Sequence, residues 1–235
     1  MRMLEQCYDL EDFDFNDVLN RESDPDVFKN ALYFDLEYYV YKKPICIGVF
    51  GCCHYDEGLN KLFVTQYMIE NKYEIYTLLL LAKDYFQKMY TQFEKRYIVT
   101  FSGNNDFTVI NHLFNQYKVE FDIKNYFKEI DLQKEFSKIS TNKDNIGLKN
   151  LEKIAGVNRK GEIISGATIA KTFSKIIKDS DYINRIPEEK VIKILKYNCD
   201  DVVNLFHIYV RWKKIEKFMY ENKCEKRKED PESVL

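Results

Sequence analysis

Glycine and proline are scarce, with eight and four among 235 residues. So few turn-formers argue against a loop-rich β-sandwich. Charge of one sign is missing too. The 36 basic and 38 acidic side chains leave a net charge of −2, so no global basic field points to nucleic acid. The six cysteines (Cys7, Cys46, Cys52, Cys53, Cys199 and Cys224) contain no CxxC pair. That speaks against a disulfide or zinc framework and for the reduced thiols of a cytoplasmic protein. The longest apolar run, near Leu78 to Ala82, is far too short to span a bilayer, so no membrane association is expected. Residues 1 to 30 are acidic rather than basic and then apolar, which predicts no signal peptide. No internal repeat is visible.

What is present suits one large domain with extras, or at most two small ones: 45% of residues are apolar and 31% charged. The charge is unevenly spread. Residues 1 to 30 hold nine acids against Arg2, Arg21 and Lys29. They read as an irregular acidic arm, either a flexible lead or a partner-binding segment. Residues 145 to 178 hold seven bases, from Lys149 through Arg159 to Lys178, against Glu152 and Glu162. That local excess could track a phosphate backbone, or it could be a solvated helix face. The domain proper is expected over 31 to 212, with a charged, fraying tail over 213 to 235.

Alternation and spacing predict strands at Ala31 to Glu37, Ile45 to Cys52 and Lys61 to Tyr67, joined by short connections as hairpins. A helix follows over about Lys72 to Phe93, with Ile75, Leu78, Leu79, Ala82, Phe86 and Met89 at helical spacing. Tyr97 to Phe101 reads as a strand and Asp106 to Gln116 as a helix. Gly147 to Ala155 is a short helix closed by Gly156, and Thr168 to Lys178 is another. The last helix starts near Pro187, with Glu188 and Glu189 suiting its positive end, and runs past Trp212. The fourth strand needs a helical crossover and should lie parallel to the first. The expected fold is α/β, a mixed sheet of three antiparallel-connected strands and then parallel ones, flanked by helices.

The first strand poses a question. In YFDLE, Asp35 and Glu37 are two apart and point to one face with Tyr33, while Leu32, Phe34 and Leu36 point to the other. Burying two like charges side by side costs several kcal/mol unless something positive compensates. The pair is therefore on a solvated edge or beside a cation. Two further acids can join it. Asp106 follows the Tyr97 to Phe101 strand in the loop Ser102-Gly103-Asn104-Asn105, where its other reading is a helix N-cap. In the last helix, KYNCDDVVNL sets Tyr197 four residues before Asp201, so both stack on one face. Asp201 borders the apolar stripe of Val191, Leu195, Val202, Leu205, Phe206 and Tyr209, where its other reading is a boundary side chain bonded to a neighbour. Four carboxylates from three separated elements suit two divalent ions about 4 Å apart, and an all-oxygen set favours Mg²⁺ or Mn²⁺ over Zn²⁺.

YFDLE, a Gly-Asn-Asn-Asp loop after a strand, and YNCDDV on a late helix together resemble the DEDD 3′–5′ exonucleases of the ribonuclease H-like fold. Within them the chain is most similar to the YprB-type ribonuclease H-like domain family. The resemblance runs from about Ala31 to Tyr209 and takes in IGLKNLEKIAGV and the SGAT stretch. It implies that Asp35, Glu37, Asp106 and Asp201 bind two divalent metal ions, Mg²⁺ or Mn²⁺. It implies that Tyr197 positions the attacking water, and that Leu36, Tyr38 and Asn104 contact substrate. The histidine variant of the family carries His five residues before the last Asp. Lys196 stands there, so the tyrosine variant is the better match, and His54, His112 and His207 are unassigned. The four-residue spacing from Tyr197 selects Asp201 over Asp200. Asp131, in EIDLQ, matches an acidic family position behind the ligands. Where the family often has Thr-Thr after its first motif, this chain has Tyr38-Tyr39, which could stack a base. The implied substrate is DNA or RNA, entered from a 3′ end. The competing expectation is a domain of the same fold that binds nucleic acid or a protein with little chemistry. The two differ in whether Mn²⁺ binds.

Overall fold

The strand that carries YFDLE lies deep in the sheet. The computed structural model describes residues 1–10, 13–20, 26–140, 146–159 and 164–229, with 222–229 as helical backbone. Of the expected charge clusters, Glu11, Asp12, Arg21, Glu22, Asp24, Lys160 and Glu162 lie outside the described residues, as do the side chain of Cys224 and residues 230–235 of the tail.

Six strands form one sheet: β1 (Arg2–Asp9), β2 (Ala31–Tyr41), β3 (Lys43–Asp56), β4 (Lys61–Met68), β5 (Tyr97–Thr100) and β6 (Lys128–Asp131). Their spatial order is β1-β4-β3-β2-β5-β6. The β2, β3 and β4 strands pair antiparallel, as their short connections require, and β5 lies parallel to β2 after a helical crossover. That is the mixed α/β sheet the sequence predicts. The helices are α1 (Ile75–Thr91), α2 (Asn104–Gln116), α3 (Leu132–Ile139), α4 (Leu148–Ile154), α5 (Gly166–Lys178), α6 (Glu188–Val210) and α7 (Trp212–Glu229). Among the described residues, no helix is long and apolar enough to cross a membrane.

Alternation along β2 divides the core in two. Leu32, Phe34 and Leu36 face one cluster, with α1, α2 and α5. Tyr33 faces the other, where its ring meets Phe206 and Tyr209 of α6 edge-on. The apolar stripe expected on the first long helix is buried throughout, as is that of α6.

Several elements differ from the expectation. The start of the chain is not irregular: Arg2–Asp9 adds an edge strand along β4. Its side chains are largely exposed on both faces, so it lacks the one-sided pattern by which a strand is read. Ion pairs fix its beginning, from the Met1 amino group to Glu70 and Glu74 and from Arg2 to Glu70 and Glu188. The four-residue β6 and the α3 helix behind it were not anticipated, because KEID is too short to show a period. The first helix starts at Ile75, after a 3₁₀ turn over Lys72–Glu74 capped by Asn71. The last helix is two helices, broken at Arg211. The tail continues as helix to Glu229.

Candidate metal centre

The β5 strand pairs with β2 only over Ala31–Tyr33. Beyond that point the flank of β2 is open, at the carboxyl end of two parallel strands. Crevices in such sheets form there. Asp35 and Glu37 stand on this open stretch. The α2 helix starts beside it, and α6 crosses the face above.

A cleft of about 400 Å³ results. Its wall includes Asp35, Leu36, Glu37 and Tyr38 of β2, Asn105 and Asp106 of α2, and Tyr197 and Asp201 of α6. One carboxylate oxygen each from Asp35, Glu37 and Asp201 lie within 4.8 Å of one another. Asp106 lines the same cleft outside that tight group. It is not an N-cap: Gly103 holds that position, and Asp106 is in the first turn of α2. The backbone N–H groups of Asp106 itself and of Leu36 act against the rise of its carboxyl. Asn104, expected as a substrate contact, is exposed and bonded by Lys134 at 3.3 Å, and its neighbour Asn105 lines the cleft instead.

Asp131 supports this loop from behind. Its carboxylate accepts from Ser102 N at 2.9 Å and from Gln133 N at 3.0 Å, capping α3. Ser102 adopts a left-handed backbone, φ +58, which turns the chain sharply out of β5 into α2.

The cluster is electrostatically unfavourable by itself. Burial pushes all four carboxyls up from their ordinary range. The charge of Asp35 adds to the rise at Glu37, Asp106 and Asp201. Burial and the nearby carboxylates also push the Tyr197 hydroxyl up, so it stays a proton donor. A hard divalent cation would relieve the acids, and the donor set of carboxylate oxygens with no histidine or thiolate suits Mg²⁺ or Mn²⁺.

Two supports escape a sequence reading. One is a buried chain of amides. Gln66 Nε2, from β4, donates to Asn198 Oδ1 at 2.8 Å and to Leu195 O at 2.9 Å. Asn198 Nδ2 donates to Asp35 Oδ2 at 3.0 Å. The chain pins α6 to the sheet and aims Asp35. It exists because residue 51 is glycine: a Cβ there would lie 2.0 Å from Asn198 Oδ1. Gly51→Ala should therefore displace Asn198 and weaken Mn²⁺ binding about 10- to 100-fold, the usual effect of losing a group that orients a ligand. Titration calorimetry reads this, and an unchanged affinity would remove Asn198 from the site.

The other support is Arg159. Its Nε and Nη2 donate to Glu152 at 2.8 and 2.5 Å, and Nη2 also meets Asp201. Asn204 Nδ2 gives Glu152 a further bond at 3.0 Å. Glu152 is buried, and three acceptor bonds keep it so. The spacing from Glu152 to Arg159 crosses the end of a helix and follows no period, so no pattern marks the pair.

A protein-family model described as RNase_H_2, of the RNase_H superfamily, matches residues 32–213. No curated protein matches the chain.

Proposed function

The chain belongs to the ribonuclease H superfamily, and from that premise we propose that it is a metal-dependent nuclease, a DEDD-type 3′–5′ exonuclease of the tyrosine variant and YprB-type. The convergence of Asp35, Glu37 and Asp201 oxygens within 4.8 Å carries the reading. Residues 31–212 are the nuclease unit. Asp35, Glu37, Asp106 and Asp201 would hold two Mg²⁺ or Mn²⁺ ions, which would lower the pKa of a water and stabilise the leaving oxygen. The protonated Tyr197 hydroxyl orients that water. Leu36 and Tyr38 bound the cleft where the 3′-terminal nucleotide of DNA or RNA would lie. Four buried free thiols, Cys46, Cys52, Cys53 and Cys199, suit a cytoplasmic protein.

The test is Mn²⁺- or Mg²⁺-dependent release of nucleotides from a 3′-labelled oligonucleotide. A blocked 3′ end should stop it; cutting of end-blocked substrates would make the enzyme an endonuclease. A second reading rests on Arg159, whose guanidinium already offsets Asp201. An ion-free binding domain would need such a contact. It would give no Mn²⁺ heat, and its hold on an oligonucleotide would survive chelator.

The raised carboxyls predict a pH dependence. Asp35 is pushed up to about 6 and Asp201 to about 8, from 3.8, by burial first. An acid with a raised folded-state pKa binds more protons folded than unfolded. Its contribution to stability is therefore present near pH 4 and lost as pH rises through its folded pKa. The ion needs the ionised forms, so its binding strengthens across the same window. Saturating Mn²⁺ should raise the Tm more at about pH 8 than at about pH 5.5. Equal shifts would mean that these acids do not hold the ion.

A further inference from the structure

Beside the acidic cleft is a smaller hollow of about 240 Å³, lined by Gly147, Leu148, Lys149 and Asn150, by Arg159, and by Tyr197 and Asp201. The two hollows share Leu148, Tyr197 and Asp201, but their charges differ. The first is walled by carboxylates, while the second adds two cations, both over the Tyr197 ring. Lys149 Nζ lies 5.3 Å from the ring centroid and the Arg159 guanidinium carbon 5.4 Å. Within the basic stretch from Lys149 to Lys178 these two are set apart, since Lys153, Lys171, Lys175 and Lys178 are exposed on helix surfaces.

Neither cation has all of its donors taken up within the protein. Lys149 has no carboxylate partner among the described residues. Arg159 is fixed by Glu152 through Nε and Nη2, and its Nη1 makes no hydrogen bond among the described residues. The two N–H groups of Nη1 are left for an oxyanion, and a lysine beside them adds a mobile point charge. A carboxylate partner is already present on Asp201, so the remaining donors want a ligand that enters with the substrate.

We propose that this hollow is a phosphate subsite. Lys149 and Arg159 hold a backbone phosphodiester of the nucleic-acid strand, next to the one presented to the acidic cleft, with Tyr197 as the wall between the two. The assignment rests on the nuclease reading above. It gives the strand a fixed register, because phosphate contacts position a nucleic acid without reading its sequence.

The test uses a fluorescein-labelled single-stranded oligonucleotide, bound in Mn²⁺ by protein carrying Asp35→Asn so that the probe is not consumed. Adding Lys149→Gln should weaken binding about tenfold and reduce the salt slope by about 0.7, one phosphate contact on a single strand. Lys149→Glu should weaken it further. Replacing single linkages by neutral methylphosphonates should locate the contact. At one linkage the replacement weakens binding by the parent and leaves the Lys149→Gln protein unaffected. Lys149 is half-buried on a helix flank, so its variants should fold. If the wild type hydrolyses the oligonucleotide but Lys149→Gln matches its parent in affinity, slope and methylphosphonate response, the subsite is overturned and the nuclease reading stands. If the wild type shows neither Mn²⁺ heat nor hydrolysis, the nuclease reading falls and the subsite with it.

Discussion

Asp201→Asn should abolish Mn²⁺-dependent release of nucleotides from a 3′-labelled oligonucleotide. The ions of a two-metal site supply several kcal/mol of charge stabilisation, and about 1.4 kcal/mol is tenfold in rate, so a loss of roughly 10³-fold or more is expected. Asparagine keeps the size and the helix position, and it removes one of the three carboxylates whose oxygens lie within 4.8 Å. Arg159 retains its bonds to Glu152, so the wall of the cleft stays anchored and the circular dichroism should be unchanged. Asp200→Asn is the matched control. Asp200 lies one position round the same helix, pairs with Lys196 at 3.0 Å, and does not line the cleft. Its variant should keep near-normal activity. Activity retained by Asp201→Asn, or lost in Asp200→Asn, would reverse the assignment.

Arg159→Met should cost stability, by about 3–5 kcal/mol. The side chains of Arg159 and Glu152 are 9% and 3% exposed. Methionine replaces the aliphatic stem but strips Glu152 of both guanidinium bonds, leaving Asn204 as its donor. An uncompensated buried carboxylate is the reason for the size of the effect. At roughly 2–4 °C per kcal/mol for a domain of this length, the Tm should fall by about 10 °C. The double variant Glu152→Gln with Arg159→Met removes the stranded charge and should recover part of the loss, a coupling that a double-mutant cycle measures. A Tm unchanged by Arg159→Met would mean that water, not the guanidinium, satisfies Glu152.

Much of the candidate site's geometry is legible in the sequence. The two-residue period of a strand puts Asp35 and Glu37 on one face, and the helical period does the same for Tyr197 and Asp201. These are local rules, and they hold whatever the rest of the chain does. The short connections between β2, β3 and β4 force antiparallel pairing, and the long one to β5 forces a parallel partner. Hence the middle of the sheet could be ordered from spacing. The β1 strand could not, because an edge strand exposed on both faces carries no alternation. The role of Asn198 was hidden in plain view between Tyr197 and Asp201. Nothing in YNCDDV says that its amide reaches a strand more than 160 residues away, and Gly51 explains the reach only once α6 lies across β3.

The sequence by itself determined which side chains could share a face, and so which acids were available to meet. Tertiary structure alone decided that they do meet: that β2 outruns β5 and opens a cleft shared with Asp106, that Gln66 and Asn198 hold Asp35, and that Glu152 delivers Arg159 to Asp201. The reason is physical. Periodicity is a property of one element, whereas the closeness of charges on different elements depends on how those elements pack, and no spacing along the chain encodes it.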